Sequence, residues 1–221
     1  MVLPLTAIIP TLNAAATLPA TLKALDGAAA VIVADGGSTD DTPALATRLG
    51  CRVMTAPRGR GSQLAAGAAA ATTDWLLLLH ADTRPQPGWG RAAERHMQRA
   101  PDRAGYFRFA LDSGDRRARR LERLVSWRCR VLALPYGDQG LLIRRDLLEA
   151  AGGIRPLPLM EDVDLVRRLG RRRLVALDAA ALTSAAKWQR DGWLRRSARN
   201  LLCLGLWFAG LPAHRLVRLY R

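Results

Sequence analysis

Acidic residues are the scarce class in this 221-residue chain: 19 Asp and Glu face 34 Lys and Arg, for a formal net charge of +15. Such a field attracts nucleotides, anionic lipid or nucleic acid without choosing among them. Cysteine is scarcer still. Cys51, Cys129 and Cys203 are odd in number and widely spaced, which excludes a disulfide framework or a CxxC metal site and suits a reducing, cytoplasmic compartment. No run reaches the ~18 apolar residues that a spanning helix needs. The longest candidate, Leu201 to Leu211, is suited only to a membrane surface. The start, Met1 to Pro10, lacks a basic leader and reads as β-like rather than as a signal peptide. Internal repeats and long polar low-complexity stretches are missing too, so a disordered chain is excluded.

What is present is an alternation of short apolar runs with helical patterns. Leu5 to Ile9, Ala30 to Val33, Cys51 to Thr55 and Trp75 to Leu79 read as strands. Between them, Ala14 to Leu25, Asp40 to Leu49 and Gln63 to Ala71 read as helices. The wholly apolar fourth strand is the pattern of a sheet covered on both faces. This βαβ order predicts an α/β fold with a mostly parallel central sheet and ligands at the carboxyl ends of its strands. Further on, Trp89 to Arg99, Arg116 to Leu134, Arg145 to Ala150 and Glu161 to Leu169 are expected helices. Leu121, Leu124, Val125, Val131 and Leu132 are expected to face inward from the second of these. Ala104 to Leu111, Leu141 to Ile143 and Leu174 to Leu177 are expected strands. Residues 1–187 are read as the catalytic domain. Residues 188–221 are read as a basic, aromatic helical tail, broken at Gly210-Leu211-Pro212, that packs on the domain, at a subunit interface or on a membrane surface.

Four polar clusters follow strands, and so gather along one edge: Pro10-Thr11-Leu12-Asn13, Asp35-Gly36-Gly37-Ser38, Ala56 to Gly61 and His80-Ala81-Asp82. No GxGxxG follows the first strand, and the glycine loop at Gly59 and Gly61 lacks the Gly-Lys-Ser/Thr of a Walker A motif. Its backbone N–H groups, with Arg58 and Arg60, can still meet phosphate. Asp35 is placed to accept from a ribose or base, or to begin a capping turn. His80 and Asp82 point the same way from an extended segment and can share a divalent cation that neutralises a diphosphate. Glu161 and Asp162 open a helix; Asp162 is the candidate base for an attacking hydroxyl, with Glu161 beside it. Asp138 and Gln139, flanked by Gly137 and Gly140, suit a loop that binds acceptor hydroxyls. The arginines from Arg116 to Arg130 read as a solvated helix face, because no nucleic-acid reader motif accompanies them.

In that order, Thr6 to Asn13, Asp35 to Thr42, His80-Ala81-Asp82-Thr83 and Glu161-Asp162 resemble a family 2-type glycosyltransferase of the GT-A fold, over roughly residues 4 to 180. More narrowly, Pro57 to Leu64, Gly137 to Gly140 and Pro158 to Val163 resemble the bacterial subgroup labelled arsenosugar-biosynthesis glycosyltransferases. The resemblance implies inverting transfer from a nucleotide-diphospho-sugar donor to a small-molecule or lipid-linked hydroxyl. It places Pro10, Asn13, Asp35, Gly37, Arg58, Arg60, Gln63, His80, Ala81 and Asp82 around the donor. Mg²⁺ or Mn²⁺ would sit on Asp82 and His80, with Asp162 as general base. The chain departs from the family in having Asp35-Gly36 where two acids are common, and His80-Ala81-Asp82 where Asp-x-Asp is usual. Two other readings are a sugar-phosphate nucleotidyltransferase, which would normally carry a glycine-rich loop directly after the first strand, and a non-catalytic basic module for nucleic acid or membrane. The expected location is the cytoplasm, with the inner face of the plasma membrane or a homodimer as settings for the tail.

Overall fold

Strand β1, Leu3–Thr11, is buried along almost its whole length, and its alternate side chains feed two separate cores. Ile8 joins Leu76 and Leu78 on one face of the sheet, while Ala7 and Ile9 join Leu77 and Leu79 on the other. A period of two on a strand covered from both sides produces this division. In the computed structural model, which describes residues 2–220, the chain continues through α1 (Leu18–Ala24), β2 (Ala28–Asp35), α2 (Thr42–Arg48), β3 (Arg52–Thr55), α3 (Arg60–Ala70), β4 (Trp75–Leu78) and β5 (Thr83–Pro85). Then come α4 (Trp89–Arg99), β6 (Ala104–Leu111), α5 (Arg116–Leu132), β7 (Leu141–Arg144), α6 (Arg145–Ala150), α7 (Glu161–Leu169) and β8 (Leu174–Thr183). Helices α8 (Ala186–Asp191), α9 (Trp193–Phe208) and α10 (Ala213–Tyr220) follow. Met1 and Arg221, the first residue of the expected β-like start and the last of the expected tail, lie outside the described residues.

The sheet order is β3-β2-β1-β4-β7-β6-β8-β5. Parallel pairing joins β3, β2, β1 and β4, and joins β6 to β8. Antiparallel pairing joins β4 to β7, β7 to β6 and β8 to β5. The result is a mixed, mostly parallel α/β sheet of the GT-A type, as expected from the sequence. On one face lie α3, α5, α6 and α7 with Trp188 and Trp193; on the other lie α1, α2 and α4.

Two expectations change. Strand β5 was not expected, because three residues that include a proline carry no period of their own; pairing with β8 makes it a strand. On α5 the buried stripe is Ala118, Val125 and Cys129, with Leu121 packed against it. Leu124, Val131 and Leu132 are exposed, not inward. At 100° per residue Leu124 and Val131 belong to the opposite stripe, which they share with Trp127, so the helix has two apolar faces and only one is covered.

The last three helices close over the strand ends. Cys203 and Leu204 of α9 and Leu216 of α10 form a small core with Val163 and Val166 of α7. Helix α8 spans the position between residues 187 and 188 and buries Trp188 beside Phe109 of β6.

Candidate active site

The carboxyl ends of β1 and β4 open onto a cleft of about 780 Å³. Its walls include Pro10, Asn13, Arg58, Arg60, Gln63, His80, Ala81 and Asp82, so eight of the residues expected around a nucleotide come together. Lys187, Arg190 and Arg196 close the wall from the C-terminal side. Five cations therefore face a cleft whose own wall contributes one acid, Asp82, and the field favours an anionic ligand.

Asp35 takes the second of its two readings, a capping turn, and Gly37 belongs to the same turn. The Asp35 carboxylate accepts from Thr11 Oγ1 and Ser38 Oγ on one oxygen, and from the Gly37 and Ser38 N–H groups on the other. Burial works to raise its pKa, but these hydrogen bonds outweigh it and hold the carboxyl below its usual range. Neither residue lines the cleft; together they fix the turn after β2. Ser38 and Thr39 of that turn tie down Asn13 at 2.8 Å each. Gln63 is likewise a structural pin, donating to the Thr11 and Ala34 carbonyls at 2.7 Å each. The turn at Asp35 was among the readings of the sequence, whereas the bonds that Gln63 makes across the strand ends were not.

His80 and Asp82 leave β4 side by side. Burial and the nearby Arg60 push the imidazole pKa down, so His80 is neutral and keeps a lone pair for a metal. Burial works to raise Asp82, but Lys187 and His80 hold it below the usual carboxylate range. Lys187 Nζ lies 3.0 Å from Asp82 Oδ2. It is one of only two lysines in a chain that otherwise uses arginine, and a compact ammonium is the side chain that most resembles a metal cation in charge and size. No group of three His, Cys, Asp or Glu side chains able to hold a metal is present among the described residues. One imidazole and one carboxylate fit a cation that takes its remaining ligands from a diphosphate and water, as magnesium-type sites do.

Helix α7 is entered through Met160, whose backbone is left-handed at φ 65°. A non-glycine residue there is strained, and the turn it makes buries Glu161 while directing Asp162 elsewhere. Asp162 Oδ2 accepts from the Gly137 N–H at 2.7 Å and Oδ1 from the Val163 N–H at 2.8 Å. Glu161 makes an ion pair with Arg60 at 3.2 Å. Burial pushes its pKa up against the opposing pull of Arg60, while Glu161 and Asp162 keep Arg60 charged despite burial. Glu161 thus supports Arg60 from behind and does not line the cleft.

Gly137 explains why a glycine stands in the loop before β7: a Cβ there would lie 2.4 Å from His80 Nε2 and 3.3 Å from Asp162 Oδ2. Of the two residues expected to bind an acceptor, Asp138 lines a second cavity that also touches His80, Asp82 and Asp162. Burial raises its carboxyl to about 6 against the pull of Arg128. Gln139 is fully enclosed instead, donating to the Phe107 carbonyl and accepting from Arg128 and the Tyr136 N–H, so it pins the loop. Residues that sequence reasoning did not assign to this site are Lys187, Arg190, Arg196 and Tyr220. Their basic and aromatic character was visible, but not which strand ends their helices would meet.

The profile of Glycosyl transferase family 2 matches residues 6–155. An uncharacterized glycosyltransferase of Mycobacterium tuberculosis is 42% identical over 78 residues, and one of Mycobacterium bovis matches equally. That alignment covers 35% of this chain and 36% of the relative, so the chain spans about a third of the length of the curated relatives it matches. Among solved structures, glucosyl-3-phosphoglycerate synthase from M. tuberculosis with phosphoglyceric acid has a TM-score of 0.56 at 22% identity, covering 81% of this chain and 70% of that one. The same enzyme with Mn²⁺, UDP and glucosyl-3-phosphoglycerate gives 0.55 at 23%, with the same coverage. A further mycobacterial protein gives 0.57 at 21%, covering 81% and 64%. These findings correct the narrower resemblance to arsenosugar-biosynthesis enzymes: the likeness runs to family 2 and, in fold, to the synthase. Within the motifs behind that resemblance, two residues serve packing here. Gln139 pins a loop, and Gly61 lets α3 approach the Arg155–Leu157 backbone, where a Cβ would meet the Arg155 carbonyl at 2.3 Å.

Proposed function

Because the chain belongs to Glycosyl transferase family 2, we propose that it moves a sugar from a nucleoside-diphosphate donor in the cationic cleft to a small hydroxyl acceptor in the adjoining cavity. The observation that carries this reading is the arrangement of acids around the two spaces. Asp82 lines both, whereas Asp162 lines only the second. A candidate base that lines the second space, next to a cation site shared by both, supplies the two groups that inverting displacement would use.

Arg58, Arg60, Lys187 and Arg190 would hold the diphosphate electrostatically. His80 and Asp82 would hold Mn²⁺ or Mg²⁺, which when bound neutralises charge on the leaving diphosphate. Asp162, oriented by two backbone N–H groups, retains lone pairs to take the acceptor proton. Asp35, Gly37, Asn13 and Gln63 shape the donor edge without needing to touch it, and Glu161 positions Arg60.

Mn²⁺ and UDP in the synthase structures make UDP the first nucleotide to test. By calorimetry, UDP with Mn²⁺ should bind more tightly than either alone. Asp162→Asn should retain UDP binding and lose transfer by at least about a hundredfold. Unchanged turnover would remove the base assignment; absence of binding to UDP, GDP, ADP and TDP, together with tight RNA binding, would remove the enzymatic one.

The setting proposed is cytoplasmic, with reversible contact at an anionic membrane surface. No helix among the described residues is long and apolar enough to cross a membrane. The support for surface contact is the outer face of α5, where exposed Leu124, Trp127 and Val131 alternate with Arg116, Arg120, Arg123 and Arg130. Residues 188–221 are proposed to differ from the rest in role, supplying one wall of the site.

A further inference from the structure

Helix α9 has two unlike sides. Its inner side is covered: Trp193, Arg196, Cys203 and Leu204 are buried, and Arg196 and Asn200 face the cavity beside the donor cleft. On its outer side Leu194, Ala198, Leu201, Leu202, Gly205 and Phe208 recur at helical spacing and are all exposed. The exposure is large, 87% for Leu194, 65% for Leu201, 56% for Leu202 and 46% for Phe208. Single exposed leucines are ordinary, but a charge-free apolar strip along a helix of 16 residues, about 24 Å, marks an interaction surface. The strip begins beside α5, where the Arg117 guanidinium lies 5.7 Å over the Trp193 ring.

Charge selects the occupant. The one acid within residues 188–220 is Asp191, and it is already engaged by Arg190, Arg196 and Arg199. Arg195 borders the strip, Arg215 and Arg218 stand exposed on α10, and none of the three has a carboxylate partner among the described residues. Two copies joined through α9 would set these arginines against each other on molecules of charge +15, and like charge opposes that contact. An anionic bilayer surface offers the complement, an acyl boundary for the strip and phosphates for the arginines. A span needs about 20 residues, so α9 lies in the plane of the surface.

We propose that α9 lies along an anionic bilayer, with its Leu194–Phe208 strip in the headgroup boundary and its inner side against the active site. This rests on the membrane contact read above from α5 and adds the element that inserts. The helix that walls the site and the helix that meets the lipid are then the same one.

The test sediments the full chain with vesicles of phosphatidylcholine and phosphatidylglycerol mixed in equal parts. Leu201→Gln combined with Leu202→Gln should lower the partition coefficient by at least about tenfold, and Leu194→Gln alone by about threefold. Leu49→Gln, at an exposed leucine that ends α2 on the other face of the sheet, should leave it unchanged. All the altered positions are exposed, so melting temperatures should stay close to the parent's. Retention equal to the parent's in both strip variants overturns the proposal and leaves the α5 contact standing. A dimer that sedimentation velocity finds in the parent and not in the double variant assigns the strip to a second copy, which overturns it as well. If the anionic vesicles do not retain the parent, the membrane reading falls and takes the role of α9 with it, while sugar transfer stands.

Discussion

At Asp138 a carboxylate sits in the cavity wall with one oxygen unpartnered, and burial raises its pKa to about 6 from an ordinary 3.8. Below about pH 4 the folded and unfolded chains are both protonated there. Between about 4 and 6 the unfolded chain releases its proton first, so stability falls as pH rises, by at most about 2 to 3 kcal/mol, and then levels off. Asp138→Asn should therefore raise the melting temperature by several degrees at neutral pH and by almost nothing near pH 4, while impairing transfer. A gain of equal size at both pH values would show that the charge is not the cause. Lys187 poses a different conflict. Its ammonium stands on Asp82, where a divalent cation would compete with it. Lys187→Ala should tighten Mn²⁺ binding without nucleotide by about two- to fivefold, the range an exposed pair carries, as read by electron paramagnetic resonance. Unchanged affinity would mean that the two cations occupy different places.

At the level of elements, α3 is held by its glycines. A Cβ on Gly67 would lie 2.4 Å from Ile8 Cγ2, a side-chain atom, whereas one on Gly61 would strike the Arg155 backbone carbonyl. Gly61→Ala should cost about 1 to 3 kcal/mol and weaken nucleotide binding through the neighbouring Arg60. Chemical denaturation and UDP titration would check this, and a variant as stable as the parent would contradict the close packing. Strands β1, β2 and β4 were legible because each carries an apolar run bounded by turn residues, and a parallel sheet buries both faces, whereas the edge strand β3, with Arg52 and Thr55 exposed, was legible from its place between two helical patterns. The covered side of α5 was not, since Leu124 and Val125 are equally apolar and only the neighbouring elements decide which one is buried. The same gap explains the site. His80, Asp82, Arg58 and Arg60 were readable as strand-end residues, and the donors to Asp35 are mostly its own neighbours Gly37 and Ser38, but the bonds of Gln63 to Thr11 and Ala34 and of Gln139 to Phe107 reach partners far away in sequence.

Across the whole molecule, charge and exposed apolar area coincide on α5, whose outer stripe lies opposite its buried one. Co-sedimentation with vesicles containing anionic lipid should retain the protein at low salt and release it as salt rises, because surface attraction of this kind is screened within about a Debye length. Trp127→Gln should reduce retention, and neutral vesicles should bind little. Equal binding to neutral and anionic vesicles would rule out this face as the contact.

The family match stops at residue 155, yet the cavity roof begins at Trp188 and runs to Tyr220. The helices beyond the family match face both spaces, since Lys187, Arg196 and Tyr220 line the cleft and the cavity alike. Exchanging them between relatives would therefore alter the diphosphate wall and the covering of Asp162 in one step, and a chimera would trade the two together.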